Sequence, residues 1–408
     1  MSAAATTVVL ERRQALAEGR ALTDALFAEL HPDTYYERPI PERHRILFYL
    51  GHLEAFDWNL LGRGALGAPP VREEWDRLFA FGIDPPPGEL PSDQPGDWPS
   101  LEQSREYVRQ VRHALDFVLE RAPQEVFDMA VEHRLMHAET FTYMLHNLAR
   151  ERRRGNGFAL DASAPAPAEE MIEIPAGTAT LGRARGAGFG WDNEFEAHQE
   201  PVAAFAISRY KITNAQYLEF VRAGGEPPHY WREHAGRWHY RGMSVEFVMP
   251  NHLPVYVSQE QASQYARWAG KSLPTEAQFH RAAFGTPGGR EQTYPWGEEP
   301  PEARHGNFNF YHRDLVPVTA TPAGDSAFGV SQLVGNGWEW TSSVFTPFAG
   351  FATSPLYPGY SANFFDGDHY VLKGASCATH ARLLRPSFRN WFRKRYPYAY
   401  ATFRLVED

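Results

Sequence analysis

The segment E-H-R-L-M-H-A-E-T, residues 132–140, places two histidines, His133 and His137, one helical turn apart. Successive residues of an α-helix advance by about 100°, so a four-residue step keeps both imidazoles on one face. The neighbouring apolar positions have the spacing of a helix that faces a bundle core: Val126, Met129, Met136, Thr140, Phe141, Met144 and Leu148. Two imidazoles that face a bundle interior are a common way to build a metal centre.

The composition describes an ordinary globular protein. With 408 residues, the chain exceeds the usual size of one hydrophobic core, so we expect two domains. The net charge of −10 argues against nucleic acid as a partner. No apolar run approaches the length of a membrane span, and the N-terminus lacks a secretory pattern. A lone cysteine, Cys377, excludes an intrachain disulfide and suits a reducing compartment, so we expect a cytoplasmic protein.

The first part of the chain is predicted to be a helical bundle. Amphipathic stretches cover residues 9–30, 41–61 and 100–121, and a fourth helix begins after Pro123. A segment rich in proline, glycine and aspartate, residues 81–99, is predicted to be a loop. Four helices with one long connection are typical of a bundle.

The second part differs in composition and in the pattern of its apolar residues. Residues 155–170 have the composition of a linker, which divides the chain into domains at 1–154 and 171–408. Beyond the linker, short apolar runs alternate with glycine, proline and asparagine, which is typical of an α+β domain with many loops. Only three segments there are predicted to be helical, at residues 214–223, 258–270 and 275–284.

A metal site needs a third ligand beside the two histidines. Glu139 and His146 lie about 180–200° around the helix from His137 and point elsewhere. The best candidate is His52 on the second helix, which shares an apolar face with aromatic residues at 48, 49 and 56. Three neutral imidazoles with open positions suit iron(II), zinc or copper, and geometry alone does not choose among them. The alternative interpretation is three core histidines that are hydrogen-bonded to the backbone.

Six segments of the second part resemble the formylglycine-generating-enzyme/sulfatase-modifying fold, a variant of the C-type-lectin architecture. They are M-I-E-I-P-A-G-T (171–178), Y-K-I-T-N-A-Q-Y (210–217), L-P-T-E-A-Q-F-H-R-A-A (273–283), Y-P-W-G (294–297), G-N-G-W-E-W-T (335–341) and V-L-K-G-A-S-C (371–377). The oxidase that gives this fold its name binds copper through a cysteine pair. A chain with only Cys377 cannot have that activity.

A DinB-like four-helix bundle with an H-x-x-x-H-x-E segment, fused to this fold, resembles the EgtB-like non-haem iron sulfoxide synthases of ergothioneine biosynthesis. The resemblance covers nearly the whole chain. It implies Fe(II) bound by His52, His133 and His137, and a pocket between the two domains. It also implies O2-dependent joining of sulfur to the imidazole carbon of hercynine (Nα-trimethylhistidine).

The resemblance also assigns substrate-contacting residues. The family's catalytic tyrosine lies in a Y-x-x-Y-S segment, which matches Tyr357 and Tyr360 here. Tyr357 would donate a proton and an electron, and Tyr360 would line the hercynine site. The family's R-N-W-D segment matches Arg389-Asn390-Trp391-Phe392, and the Trp391 face suits a trimethylammonium group. Without the family context, Tyr357 and Trp391 are read as ordinary packing in an aromatic-rich domain.

The chain departs from the family at three places where substrates should bind. The arginine-containing R-G-x-L-S-R-P segment, which binds donor carboxylates in the family, is replaced by D-R-L-F-A-F-G-I-D-P at 76–85. Phe392 stands where the family has the aspartate that binds the donor's ammonium group, and Met136 stands where it has a glutamine of the hercynine pocket. A site without these partners would leave a charged donor desolvated, at a cost of several kcal/mol for each charge.

These departures predict an uncharged donor and resemble the selenoneine synthase (SenA-like) branch, in which a selenosugar and hercynine form a carbon–selenium bond. One alternative is a hercynine sulfoxide synthase that uses a thiol donor. A second alternative, from a different class, is a non-catalytic lectin-like binder of small molecules.

Overall fold

We describe the protein from a computed structural model, which describes residues 3–83, 89–154 and 164–407. The chain divides into two compact units, residues 1–156 and 157–408. Most of the predicted linker, residues 155–163, lies outside the described residues, so its bounds stay a prediction. Of the helices in the described ranges, none has the combination of length and apolar composition that crossing a bilayer requires.

The first unit is helical, as predicted. Its helices are α1 (Ala3–Ala28), α2 (Ile46–Asp57), α3 (Glu73–Phe81), α4 (Leu101–Val118) and α5 (Gln124–Asn147). Helices α1, α2, α4 and α5 correspond to the four predicted helices. Helix α4 begins with a capping box, in which the Ser100 hydroxyl accepts from the Gln103 amide and the Gln103 side chain accepts from the Ser100 amide.

The start of the second helix was predicted wrongly. The helix begins at Ile46 rather than at residue 41, because Arg45 has extended backbone angles and its side chain is engaged elsewhere. Arg45 Nε lies 2.9 Å from Oδ2 of the buried Asp93, which also accepts a 2.7 Å hydrogen bond from Trp98 Nε1. Asp93 therefore holds the chain before α2 against the segment before α4.

Helix α3 was not predicted, and it lies against α2. Its buried Phe79 packs on Gly51 so closely that a Cβ added to Gly51 would lie 2.3 Å from a Phe79 ring carbon. Asp76, also buried, accepts a 2.8 Å hydrogen bond from the Tyr107 hydroxyl of α4. Beyond Asp57, α2 continues as a π-helical segment, Trp58–Gly64.

Buried charges join α2 to α5. Arg134 of α5 is only 1% exposed, and its Nη2 atom lies 2.6 Å from Asp57 Oδ2 and 3.0 Å from Glu54 Oε2. The pKa of Asp57 is raised to about 6, first by burial, although Arg134 opposes that shift. Because a buried charge without its partner is costly, this cluster fixes how the two helices pack.

The second unit is the predicted α+β domain. Its strands are β1 (Met171–Ile174), β2 (Gly177–Leu181), β3 (His198–Val202), β4 (Phe205–Ser208), β5 (Trp231–His234), β6 (Arg237–Arg241), β7 (Glu246–Val248), β8 (Gly337–Val344), β9 (His369–Ala375), β10 (Asn390–Arg393), β11 (Ala401–Thr402) and β12 (Val406–Glu407). They form sheets with the orders β1-β4-β12, β10-β9-β8-β11, β2-β3 and β5-β6-β7.

Helices α6 (Asn214–Arg222), α7 (Gln259–Trp268) and α8 (Glu276–Phe284) confirm the three predicted helical segments. Each begins with a capping box that pairs a hydroxyl residue with a glutamine three positions later: Thr213 with Gln216, Ser258 with Gln261, and Thr275 with Gln278. Local sequence therefore sets these starts.

A buried ion triad holds the centre of the second unit. Glu339 accepts from Lys211 Nζ at 2.7 Å and from Arg404 Nε at 2.6 Å, and all three side chains have no exposed surface. Lys211 and Glu339 belong to two of the six sequence motifs, so the motifs meet in the fold. The charges of Arg404 and Lys211 keep the pKa of Glu339 below its usual value despite burial.

Candidate metal centre

Three histidines of the first unit converge on one point. The Nε2 atom of His137 lies 3.3 Å from His52 Nε2 and 3.1 Å from His133 Nε2. The ligand atoms of all three residues lie within 4.8 Å of one another. The structure thus brings together His52 of α2 with the two histidines of α5.

The spacing of these nitrogens fits a shared metal ion. With metal–nitrogen bonds of about 2.1 Å, two imidazoles at right angles would place their nitrogens about 3.0 Å apart, and a tetrahedral pair about 3.4 Å apart. The distances of 3.1 and 3.3 Å fall within this interval. Three imidazoles on one side of an ion leave other coordination positions for exogenous ligands.

Burial keeps the three imidazoles in the form that binds metal. It is the largest influence in each case, and it lowers the pKa of His52 to about 4 and those of His133 and His137 well below the usual value. The imidazoles are therefore neutral at physiological pH. A neutral imidazole has the lone pair that a metal needs.

A backbone carbonyl orients His52. Its Nδ1 atom lies 2.8 Å from the carbonyl oxygen of Phe79. Because a carbonyl only accepts, Nδ1 carries the proton and Nε2 is left with its lone pair toward the other histidines. Such outer partners fix the tautomer and the direction of metal-binding imidazoles. The partner comes from α3, so sequence reasoning missed it together with that helix.

Aromatic rings of α2 pack against the imidazoles. Phe56 stacks on His133 with ring centroids 3.4 Å apart, and Phe48 stacks on His52 at 4.6 Å. Tyr49 lies 5.8 Å from His137. These three side chains are the aromatic face that the sequence assigns to the second helix, and they limit rotation of the rings.

Three other residues of α5 that the sequence analysis considered lie near the two histidines without joining them. Glu139 and His146 are buried but do not belong to the group of converging ligand atoms. Met136 is half-buried and directly precedes His137, so it lies beside the face of α5 that carries the two histidines.

The predicted tyrosine segment forms an aromatic cluster within the second unit. Tyr360 stacks on Trp191 with ring centroids 4.0 Å apart and meets Trp391 edge-on at 5.2 Å. Tyr357 lies 5.8 Å from Tyr360. The structure thus brings Tyr357, Tyr360 and Trp391 together. Trp191 belongs to the same cluster, and sequence reasoning missed it.

A buried carboxylate anchors this cluster. Ser361, which directly follows Tyr360, donates a 2.5 Å hydrogen bond from its hydroxyl to Asp192 Oδ1. Asp192 directly follows Trp191, so this hydrogen bond joins the segment of Trp191 to the segment of Tyr360. No local pattern could have identified this contact, because it joins positions 169 residues apart.

Strand β10 presents the other predicted substrate residues on two faces. Side chains alternate along a strand, so Trp391 faces one side and Asn390 and Phe392 the other. The Asn390 side-chain oxygen accepts from the Trp391 amide at 2.9 Å. Phe392 stacks on Tyr396 with ring centroids 4.9 Å apart and planes 4° apart. Phe392 is therefore not part of the cluster around Tyr360.

The segment that replaces the family's arginine motif mostly forms α3. Within it, Asp76 and Phe79 are buried in the first unit, and Arg77 is exposed. Residues 84 and 85 of that segment lie outside the described residues.

Comparisons with known proteins agree with both units. Residues 158–408 match the Sulfatase-modifying factor enzyme 1-like domain, and residues 15–152 match the DinB superfamily. A hercynine oxygenase of Mycolicibacterium thermoresistibile is 36% identical, with 72% of each chain aligned. One from Mycolicibacterium smegmatis is 35% identical, with 71% of this chain and 74% of that protein aligned.

A fungal relative extends the comparison to nearly the whole chain. Ergothioneine biosynthesis protein 1 of Schizosaccharomyces pombe is 27% identical over 93% of this chain and 54% of its own length. The two matched domains and the similar proteins all indicate one family. The chain belongs to the EgtB-like family, in which a DinB-superfamily domain is joined to a sulfatase-modifying factor enzyme 1-like domain.

Proposed function

We propose that this protein is an O2-dependent non-haem iron(II) enzyme that bonds the imidazole carbon of hercynine to a chalcogen atom of a second substrate. The observation that carries the proposal is the convergence of His52, His133 and His137 at nitrogen separations of 3.1 and 3.3 Å. The names of the bacterial relatives, hercynine oxygenases, support hercynine as the acceptor.

Bound iron would activate O2 and orient both substrates. The protein's part is to hold the ion with three neutral imidazoles and to leave the remaining positions open. His52 is oriented by the Phe79 carbonyl, and His133 is covered by Phe56. Because these rings are already positioned, ordering them costs little when metal and substrates bind, and proximity can contribute much of the rate.

The aromatic cluster of the second unit suits the trimethylammonium group of hercynine. Trp191, Tyr360 and Trp391 contribute aromatic rings within one cluster. A quaternary ammonium group has no hydrogen to donate, so it is recognised by aromatic faces rather than by acceptors. Each well-placed ring would contribute about 1–2 kcal/mol when the contact is desolvated. Met136, which precedes His137, and Asn390, which precedes Trp391, are each proposed to contact substrate.

Tyr357 would serve as the proton donor. Burial raises the pKa of its phenol, so the hydroxyl keeps its proton at neutral pH. A protonated phenol beside the reacting atoms can supply a proton in the transition state. This role would favour coupling of the two substrates over oxidation of the donor.

The donor is proposed to be a selenosugar rather than an amino-acid thiol. Phe392 stands where the family's ammonium-binding aspartate stands, and its ring is stacked on Tyr396. The segment that would carry the carboxylate-binding arginines instead folds mostly as α3, with its single arginine, Arg77, exposed. A zwitterionic donor would have to lose its hydration without gaining charged partners, and a sugar would not.

The test is a donor competition. The iron-loaded enzyme is mixed anaerobically with hercynine and an equimolar mixture of a 1-selenosugar, cysteine and γ-glutamylcysteine. It is then exposed to air, and products are identified by mass spectrometry. We expect the carbon–selenium product to predominate. Predominance of a sulfoxide would assign the protein to the thiol-using enzymes.

Three variants extend this test. Phe392→Asp restores the family's carboxylate and should increase the share of thiol-derived product, whereas Phe392→Leu should not. His133→Ala should lose both iron and all products. A wild-type protein that binds hercynine but neither retains iron nor forms any product would be a lectin-like binder.

A further inference from the structure

A second group of metal-binding side chains lies in the second unit, on the sheet of β5, β6 and β7. It consists of His234, His239 and Glu246, whose ligand atoms lie within 4.8 Å of one another. His234 Nε2 is 2.5 Å from Glu246 Oε1, and the two imidazole centroids are 5.1 Å apart. Neither the family resemblance nor the proposed chemistry uses these residues.

The register of the sheet places all three side chains on one face. His234 is paired with Arg237, and His239, two residues further along β6, shares the face of Arg237. Glu246 is paired with Arg241, which is again two residues along the same face. The turn between β5 and β6, Ala235 and Gly236 with φ of 49° and 76°, has the left-handed geometry that fixes the register of a tight hairpin.

Two of the three side chains are well exposed, and the tautomer of His239 suits metal binding. The side chains of His234 and Glu246 are 57% and 37% exposed. His239 Nδ1 donates to the Arg237 carbonyl at 3.1 Å, so its Nε2 has a free lone pair. Two imidazoles and one carboxylate, with positions open to water, form a donor set that zinc accepts well.

The surrounding positive charges should lower the affinity of these residues for a zinc ion, but they do not block access to the ligand atoms. Arg232, Arg237 and Arg241 project from the same face of the sheet. The Arg232 guanidinium donates to the backbone carbonyls of His229 and Trp231, both at 2.7 Å. Because the cluster has a single carboxylate near three cationic side chains, the ion should exchange with solution instead of being held permanently.

We propose that His234, His239 and Glu246 form a surface site for Zn²⁺, which joins the outer strands β5 and β7 across β6. Zinc binding displaces the proton between His234 Nε2 and the Glu246 carboxylate, which moves to Nδ1 of the same ring, and involves no redox change. Because the bound ion would contact both outer strands, it should stabilise this sheet against unfolding.

The test measures zinc on the tag-free, iron-loaded protein. Wild type, His239→Ala and, as a matched control, His312→Ala are brought to equilibrium with ZnCl2 by dialysis under anaerobic conditions, and the protein and buffer compartments are sampled. Zinc and iron are then counted by mass spectrometry. His312 is an exposed histidine outside the cluster. We expect wild type and the control to retain one more zinc ion per chain than His239→Ala, with iron unchanged.

A second variant separates the site from non-specific binding. Glu246→Gln keeps the side-chain size but removes the charge, so zinc affinity by calorimetry should fall at least tenfold. The same zinc difference should persist in a His133→Ala background, so the test does not depend on the iron centre. Equal zinc in wild type and His239→Ala, or zinc retained only in exchange for iron, would overturn the proposal.

Discussion

Substituting alanine for Gly51 tests how α3 positions the metal centre without changing any ligand. The added Cβ would lie 2.3, 2.4 and 2.5 Å from three ring atoms of Phe79. Ordinary carbon contacts need about 3.5–4.0 Å, so α2 and α3 must separate by about 1 Å. That movement would stretch the 2.8 Å hydrogen bond from His52 to the Phe79 carbonyl beyond bonding distance.

Gly51→Ala should change both the affinity for Fe(II) and the free energy of unfolding. Loss of an outer partner of a metal-binding imidazole typically weakens metal affinity by about 10–100-fold, or ~1.4–2.8 kcal/mol. Overpacking costs ~1–3 kcal/mol, partly offset by the ~1 kcal/mol by which alanine favours a helix over glycine. We therefore expect Gly51→Ala to stay folded and to bind Fe(II) at least tenfold more weakly.

The assay is anaerobic competition for Fe(II) with a chromophoric chelator, combined with urea unfolding. Gly96→Ala is the matched control, because a Cβ there would meet nothing within 4 Å. Adding Phe79→Leu to Gly51→Ala shortens the clashing side chain but keeps the carbonyl, so affinity should partly recover. A folded Gly51→Ala protein that binds iron as tightly as wild type would refute the positioning role of α3.

Three further predictions concern the role of Tyr357, the protonation of the buried histidines and the ion pairs of Arg134. Tyr357→Phe should shift the product, analysed by mass spectrometry, from the coupled compound toward oxidised donor; an unchanged coupling yield would remove the proposed role. The iron-free protein should lose stability to urea as pH falls from about 6.5 toward 4, by ~3 kcal/mol for His52 alone, because protonation favours the unfolded chain. This dependence should shrink in His52→Ala, and a flat profile would contradict neutral buried imidazoles. Arg134→Met should cost ~3–5 kcal/mol in urea unfolding, because Asp57 and Glu54 lose a buried partner. A loss below about 1 kcal/mol would show that the cluster is not needed.

The sequence predicted those features that short-range patterns determine. The spacing of His133 and His137, read with the apolar stripe of α5, fixed which side of the helix faces the core. The hydroxyl–glutamine pairs at Thr213, Ser258 and Thr275 mark helix starts by hydrogen bonds that span only three residues. His52 was identified from its aromatic neighbours on the same helix face.

Features that depend on distant contacts were missed. Helix α3 has only nine residues, and its position depends on Phe79 packing against Gly51, which no periodicity reveals. The start of α2 is displaced because Arg45 pairs with Asp93, 48 residues away. The Trp191–Tyr360 stack likewise depends on how loops of the second unit fold together. In each case, a long-range contact overrides or completes the local preference.

The proposed chemistry requires that three imidazoles from α2 and α5 bind one iron. X-ray absorption spectroscopy of the anaerobic Fe(II)-loaded protein, before substrates are added, measures this directly. We predict one iron per chain with three imidazole nitrogens at about 2.1 Å, and loss of this signal together with the iron in His52→Ala. Iron bound by fewer than three imidazoles, or iron retained unchanged in His52→Ala, would contradict this arrangement.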